Sequence, residues 1–487
     1  MEPFDSGLIA LAGALRAGEV SPTEAVERSL ERVDALSGLG AFLTVTADRA
    51  RERAAELTAQ GPPDDPAAQP LWGVPLADKD LTARAGVRTT YGSRAFADHV
   101  PTASDPAALA LDRIGAVSVG KTNTPEFGMT GYTENEISDP ARNPWDPATG
   151  AGGSSGGAAV AVATGQLPAS IASDGGGSIR IPAATVGVVG IKPSRGLLPF
   201  SNGLDSPGGL SVAGPIARSV ADAALLLDAL VSSGPHPHAT HASRATPPVD
   251  RAGRAEYERM PGGAYTYHAL RDDIGGMRVG ATLVTPWDGW TDTALDPRAL
   301  AAYERAAAVL QGGGHAVEET PWEPHGYPEM FRTMWRASAA TLPLPDDQLD
   351  RLSPFTAWMV RQGRALEPAA VIAAYQAAAA FERATIAAFD RYDAVLTPAL
   401  ALAPQAVGWA SEGTSPDENF ERQCQYSPHT SFVNVSGLPA ITVPIIDPDD
   451  GGARPWSVQL VGRPGGEAAI IALAAQLERA QGPLPRP

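Results

Sequence analysis

The chain has 487 residues, 44% of them hydrophobic and 19% charged, with a formal net charge of −18. That length and apolar content support a globular fold with a sizeable core. The acidic balance argues against nucleic acid as a main partner, because phosphate backbones attract basic surfaces.

The N-terminus, Met1-Glu2-Pro3-Phe4-Asp5, lacks the basic region and apolar core of a secretion signal. No apolar run is long enough to cross a membrane. The only cysteine, Cys424, has no partner within the chain, so nothing points to an oxidising compartment. A cytoplasmic protein with no membrane partner is expected. Residues 7–36 read as two helices, and the second opens on Ser21-Pro22-Thr23-Glu24, a capping box with proline at the first helical position. Residues 47–59 suit a third helix and 61–69 a polar, proline-rich loop.

Within Gly73-Val74-Pro75-Leu76-Ala77-Asp78-Lys79-Asp80, Val74 to Ala77 reads as a short buried strand, which carries Lys79 to a strand end. Most lysines are solvated. A desolvated one has a lowered pKa and can act as a base at neutral pH. Residues 115–122 fit the phosphate-loop spacing G-x-x-x-x-G-K-[ST]. That loop must be irregular and lead into a helix. Ala116-Val117-Ser118-Val119 reads instead as a strand, which rejects nucleotide binding.

Residues 152–157, Gly-Gly-Ser-Ser-Gly-Gly, look like a linker but run straight into Ala158-Ala159-Val160-Ala161-Val162-Ala163. An apolar run of small residues suits a buried helix or strand, and a strained peptide there could hold a serine hydroxyl in place. The same segment fits G-x-S-x-G with Ser155 as nucleophile. The preceding turn formers, Asn143 to Gly150, supply no strand for such an elbow, so a Ser-His-Asp esterase is a minor alternative. Further on, Ser173-Asp174-Gly175-Gly176-Gly177-Ser178-Ile179-Arg180-Ile181-Pro182 places three glycines before a serine. Unscreened N–H groups there can converge on a developing oxyanion, and Ser178 can be the nucleophile. A plain glycine-rich turn is the competing reading.

From 71 to 230, short apolar strands alternate with helical stretches, which implies an α/β sheet with helices on both faces. Residues 231–276 lack periodicity and read as a surface excursion. They contain His236, His238 and His241, favoured as an exposed loop over a metal site. Arg278 to Leu283 reads as a strand, 297–312 as a helix and 325–392 as mostly helical. Trp335, Phe355, Trp358 and Tyr375 mark this last stretch as a variable pocket wall, although core packing fits each of them. Residues 404–432, with Trp409, Phe420, Tyr426 and Phe432, read as a long loop covering the site. The last helix falls at about 467–480.

Taken together, the GVP-x-x-x-KD segment, the GGSSGG loop and the D-x-GGS-I-R-x-P stretch resemble the amidase signature family, in the family's order. Gly120 to Phe127, Arg142 to Asp146, Val188 to Gly196, Gly214 to Asp222, Asn434 to Ala440 and Val458 to Gly462 are similar to further family segments. The resemblance implies an α/β amidase signature fold, with a central mixed twisted β-sheet covered by helices. It implies one domain over residues 1–487. Within it, 1–70 supply N-terminal helices, 71–230 the signature core and 231–276 the excursion. Residues 325–432 form the variable cover and 433–487 the closing strands and helix.

The resemblance also implies a triad of Ser178 as nucleophile, Ser154 on a cis peptide as bridge and Lys79 as base. The N–H groups of Gly175, Gly176, Gly177 and Ser178 would form the oxyanion hole. Ser155 would help orient Lys79. Asp174 and Arg180 would form a supporting pair, Glu126 would be structural, and Gly128 and Met129 would contact substrate. No metal and no cofactor are implied. A small-molecule amide is the expected partner, and a homodimer is compatible. The expected reaction is hydrolysis of an aryl or apolar amide, as in aryl acylamidases, with carbamates (urethanase activity) and esters as further substrates.

One alternative is the glutamine amidase component of a tRNA-dependent amidotransferase. That branch has a glutamine after the SIR of the nucleophile loop, where this chain has Ile181, and a YGRVS-type run where it has Ser194-Arg195-Gly196-Leu197-Leu198. The segment Phe200 to Gly209 departs from it as well. A non-catalytic binding or scaffold protein is the alternative of another class, and the intact Lys79, Ser154 and Ser178 speak against it.

Overall fold

The computed structural model describes residues 3–198, 207–233, 264–272, 274–447, 454–482 and 484–487. Helices Leu8–Ala17 and Pro22–Ala35 open the chain. The capping box closes as expected. Glu24 N–H donates to Ser21 Oγ at 3.2 Å, and Ser21 N–H donates to Glu24 Oε2 at 2.8 Å.

Strands β1 (Phe42–Val45), β2 (Pro75–Lys79) and β3 (Val117–Thr122) make a three-stranded sheet in the order β1-β3-β2. The larger sheet is the mixed one that the resemblance implies. It contains β4 (Ala169–Asp174), β5 (Val189–Lys192), β6 (Val212–Ala217), β7 (Arg278–Ala281), β8 (Ala316–Glu319), β9 (Ala394–Pro398), β10 (Ala440–Ile445) and β11 (Trp456–Gly462). Its order is β4-β6-β5-β10-β11-β9-β7-β8. Pairings from β4 through β9 are antiparallel, and β7 runs parallel to both β9 and β8. The separate small sheet is an addition to the expected single sheet. Strands of four to six residues carry no local signal of which sheet they join.

Period-two alternation assigns the faces of the large sheet. Ile441, Val443, Val458 and Leu460 enter the main core with helices Val220–Ser232 and Glu467–Gln481. Thr442, Gln459 and Thr397 alternate with them and point to the other side, toward helix Arg180–Val186. A second core lies beneath helices Tyr327–Ala340, Pro354–Arg364 and Pro368–Phe389. Trp287, Trp322, Phe331, Phe389 and Phe432 dominate it.

Residues 156–163 form a helix in which every side is buried, which removes the linker reading. Gly157 has a reason to be glycine. A Cβ there would fall 2.3 Å from both the Ala41 carbonyl oxygen and the Asn123 nitrogen. The phosphate-loop match fails as expected. Lys121 and Thr122 lie inside β3, and Lys121 Nζ donates to the Thr82 carbonyl and to Thr89 Oγ1.

Two expectations need correction. The cover at 404–432 is partly helical, with helices Pro416–Tyr426 and Ser431–Val435. Residues 231–276 are not wholly an excursion, because helix Ala264–Leu270 buries Tyr265 and Ala269 in the main core. His236, His238, His241 and residues 200–206 lie outside the described residues. No helix among the described residues is long and apolar enough to cross a membrane.

Candidate active site

The two sheets meet where β2 packs on β4. Lys79 ends β2, and Ser173 and Asp174 end β4, so the junction gathers groups from both sheets. Lys79 is 2% exposed. Its Nζ lies 2.7 Å from Ser154 Oγ and 3.1 Å from Ser173 Oγ. Burial lowers its pKa from 10.5 to about 7, against a smaller opposing pull from Asp174. A neutral amine is therefore present near pH 7, hydrogen-bonded to a hydroxyl.

The Gly153–Ser154 peptide is cis. Ser155 follows and starts the buried helix, but it does not touch Lys79. Its Oγ donates to the Ser173 carbonyl at 3.2 Å, so it acts on the lysine only through Ser173. The elbow reading of Ser155 fails here too. His429 Nε2 faces the Leu283 carbonyl, and no strand leads directly into the serine loop.

Ser155 N–H donates to the Ser178 carbonyl at 3.2 Å, which ties the two serine loops together. No hydrogen bond joins Ser154 Oγ to Ser178 Oγ. Gly128, where a Cβ would sit 3.3 Å from Ser154 Oγ, lines the same cavity as Ser178. That cavity is a cleft, open to solvent, which Ser178 lines together with Gly128, Met129, Phe331 and Trp335.

The loop that carries Ser178 is held from behind. Arg180 Nε donates to Asp174 Oδ2 and Nη2 to Oδ1, both at 2.9 Å and fully buried. Arg180 Nη1 donates to Gln459 Oε1 and Nη2 to Asn434 Oδ1. Burial would raise the Asp174 pKa. The Arg180 guanidinium outweighs it and holds the carboxyl well below the usual range. Asp174 Oδ1 also accepts the Gly177 N–H at 2.7 Å, and Oδ2 accepts the Ile179 N–H at 3.1 Å. The Gly177 N–H is thus engaged in shaping the loop rather than free for an oxyanion. The N–H groups of Gly175, Gly176 and Ser178 remain available. A Cβ at Gly177, where φ is +132°, would fall 2.4 Å from Thr430 Oγ1. Arg180→Met leaves Asp174 charged and buried. Its expected cost is about 3–5 kcal/mol, read as a lower urea midpoint.

Gly128 and Met129, expected at the substrate, line the cavity. A Cβ on Gly128 would sit 3.3 Å from Ser154 Oγ, and the Met129 carbonyl accepts Trp335 Nε1–H at 3.1 Å. Beside them stand Phe331 and Trp335, stacked at 5.5 Å, with Trp287 packed on Phe331 and Phe420. Glu126 is structural as expected, since Ser93 and Ser353 donate to its carboxylate. Sequence reasoning missed Ser173, Trp287, Phe331 and Ser431, and flagged Asn434 and Gln459 only as parts of closing segments. Only the aromatic content of 325–392 hinted at Phe331.

A family model described as Amidase matches residues 24–471. The chain is 36% identical to the putative amidase AmiB2 of Mycobacterium tuberculosis, over 99% of this chain and 98% of that one. It is 32% identical to a glutamyl-tRNA(Gln) amidotransferase subunit of Anaeromyxobacter dehalogenans, over 99% and 97%. It superposes on the structure of a bacterial aryl acylamidase of the amidase signature enzymes with a TM-score of 0.81. That match has 26% identity over 97% of this chain and 96% of the other.

Proposed function

The chain belongs to the amidase signature family, hydrolases of amide C–N bonds, and we propose that it cleaves aryl or apolar acyl amides through an acyl-enzyme on Ser178. The observation that carries the reading is the buried Lys79 Nζ, 2.7 Å from Ser154 Oγ and lowered to a pKa of about 7. A serine hydroxyl attacks an amide only if its proton is taken. Ser178 Oγ bonds to the carbonyl carbon while its proton passes to Ser154, whose own proton passes to Lys79. The N–H groups of Gly175, Gly176 and Ser178 hold the resulting oxyanion. The C–N bond breaks as the proton returns to the departing amine, and water then releases the acid by the same path.

The wall supports the substrate class. Met129, Ile181, Trp287, Phe331, Trp335 and Phe420 line the cavity with Ser178, and no ionised side chain among the described residues does. Apolar rings suit an aryl acyl group, and carbamates and esters of similar shape fit the same chemistry. The 32% identity to an amidotransferase component favours glutamine hydrolysis as a second reading. That substrate presents an ammonium and a carboxylate, which the described wall does not pair. The test is purified protein on aryl-acyl p-nitroanilides, aryl carbamates and primary amides, with glutamine as control. Cleavage of anilides without ammonia from glutamine is expected. Ammonia from glutamine only after partner proteins are added would replace this reading with the second.

A further inference from the structure

Among the described residues of the cavity wall, one hydroxyl donor besides Ser178 has no acceptor in the protein. Ser431, which starts helix Ser431–Val435, accepts two hydrogen bonds at its Oγ. One comes from Tyr327 Oη at 2.9 Å and the other from Trp287 Nε1 at 3.3 Å. An indole nitrogen only donates, and Tyr327 is fully buried with its hydroxyl directed at Ser431. The Ser431 O–H is therefore left over, and Ser431 lines the same cavity as Ser178. Its Cβ lies 3.9 Å from where a Cβ on Gly176 would stand, beside the nucleophile loop.

The remaining amide and hydroxyl side chains of the described wall are paired. Gln423 Oε1 accepts the Gly131 N–H and its Nε2 donates to Asn419 Oδ1. Ser427 Oγ donates to the Gln423 carbonyl, and Thr130 Oγ1 donates to the Tyr132 carbonyl. One oriented hydroxyl in an aromatic wall discriminates between substrates. A ligand that fills the space without an acceptor leaves the donor unpaired and dry.

We propose that Ser431 is a specificity-determining donor in the acyl subsite, selecting amides whose aryl-bearing acyl group carries an ether, carbonyl or ring-nitrogen acceptor near the scissile carbonyl. This rests on the amidase reading with Ser178 as nucleophile.

A matched pair of p-nitroanilides tests it: phenoxyacetyl, with an ether oxygen, and 3-phenylpropanoyl, with a methylene in its place. Intrinsic reactivity cancels when the ratio of their kcat/KM values is compared between enzymes. Ser431→Ala is expected to lower the phenoxyacetyl to phenylpropanoyl ratio about tenfold, as loss of one neutral hydrogen bond supports. Phenylpropanoyl turnover serves as the reference within each enzyme, so the ratio and not either rate is read. An unchanged ratio overturns the proposal. Ser431→Cys keeps a weak donor and a weak acceptor, and should lower the ratio severalfold. It decides the matter if the alanine variant does not fold, and an unchanged ratio there overturns the proposal equally. Cleavage of acetyl p-nitroanilide with neither member of the pair accepted also overturns the subsite. Absence of any C–N hydrolysis by the native enzyme overturns the reading beneath it.

Discussion

Ser178→Ala is expected to lower kcat on an aryl-acyl p-nitroanilide by about 10⁴–10⁶-fold, the scale of losing a serine nucleophile. The loss should be chemical rather than structural. The loop around Ser178 is shaped by Asp174, Arg180, Asn434 and Thr430, none of which bonds to the Ser178 hydroxyl. Ser155 binds the Ser178 carbonyl, which alanine keeps. Substrate affinity and the urea midpoint should therefore stay close to native. Mass spectrometry of the native protein with a slow aryl carbamate should show an adduct on the peptide that carries Ser178, and the variant should show none. Turnover retained by Ser178→Ala would remove it as the nucleophile.

The legible part of the site is the part whose chemistry is local. Lys79, Ser154 and Ser178 each sit in a short segment whose glycines or strand pattern have a reason on their own. Gly157 leaves room for the Ala41 and Asn123 backbone, and Gly177 for Thr430. Those demands act within a few residues of the functional group, so they show in the sequence. Ser173 gives no such sign. It is one small residue of β4, and only the packing of β2 against β4 brings its hydroxyl to Lys79. Asn434 and Gln459 reach Arg180 across more than 250 positions, and nothing along the chain announces that distance.

The helix Pro416–Tyr426 is a different kind of miss. Ser415-Pro416-Asp417-Glu418 repeats the cap of Ser21-Pro22-Thr23-Glu24, and Ser415 Oγ accepts the Glu418 N–H at 3.2 Å. The signal was present. The polar face that follows, Glu418, Glu421, Arg422 and Gln425, hid it, because only Asn419, Phe420, Cys424 and Tyr426 are buried. Ser431 became part of the wall through the same cover, and Trp287, from an earlier loop, packs against Phe420 of that cover.

Lys79→Met should separate two roles of one amine. Activation of Ser178 matters for every substrate, while proton return matters only for a poor leaving group. A p-nitrophenyl ester should lose about 10²-fold, and the matching amide about 10²-fold more, since each proton transfer contributes on that scale. Equal loss on both substrates would count against the relay through Ser154. In the native enzyme, kcat/KM should rise with pH, tenfold per unit, and level off above about 7, where Lys79 becomes neutral. Stability should move the other way on substitution. Below pH 7 the folded and unfolded chains both hold the Lys79 proton, and the folded state carries the full cost of a buried ammonium. Between pH 7 and 10.5 the unfolded chain binds more protons, so unfolding free energy rises with pH as that cost is relieved. Methionine removes the charge at every pH. Its gain in melting temperature should be largest at pH 6 and shrink toward pH 9. A gain independent of pH would mean that the buried lysine is not the group strained by its surroundings.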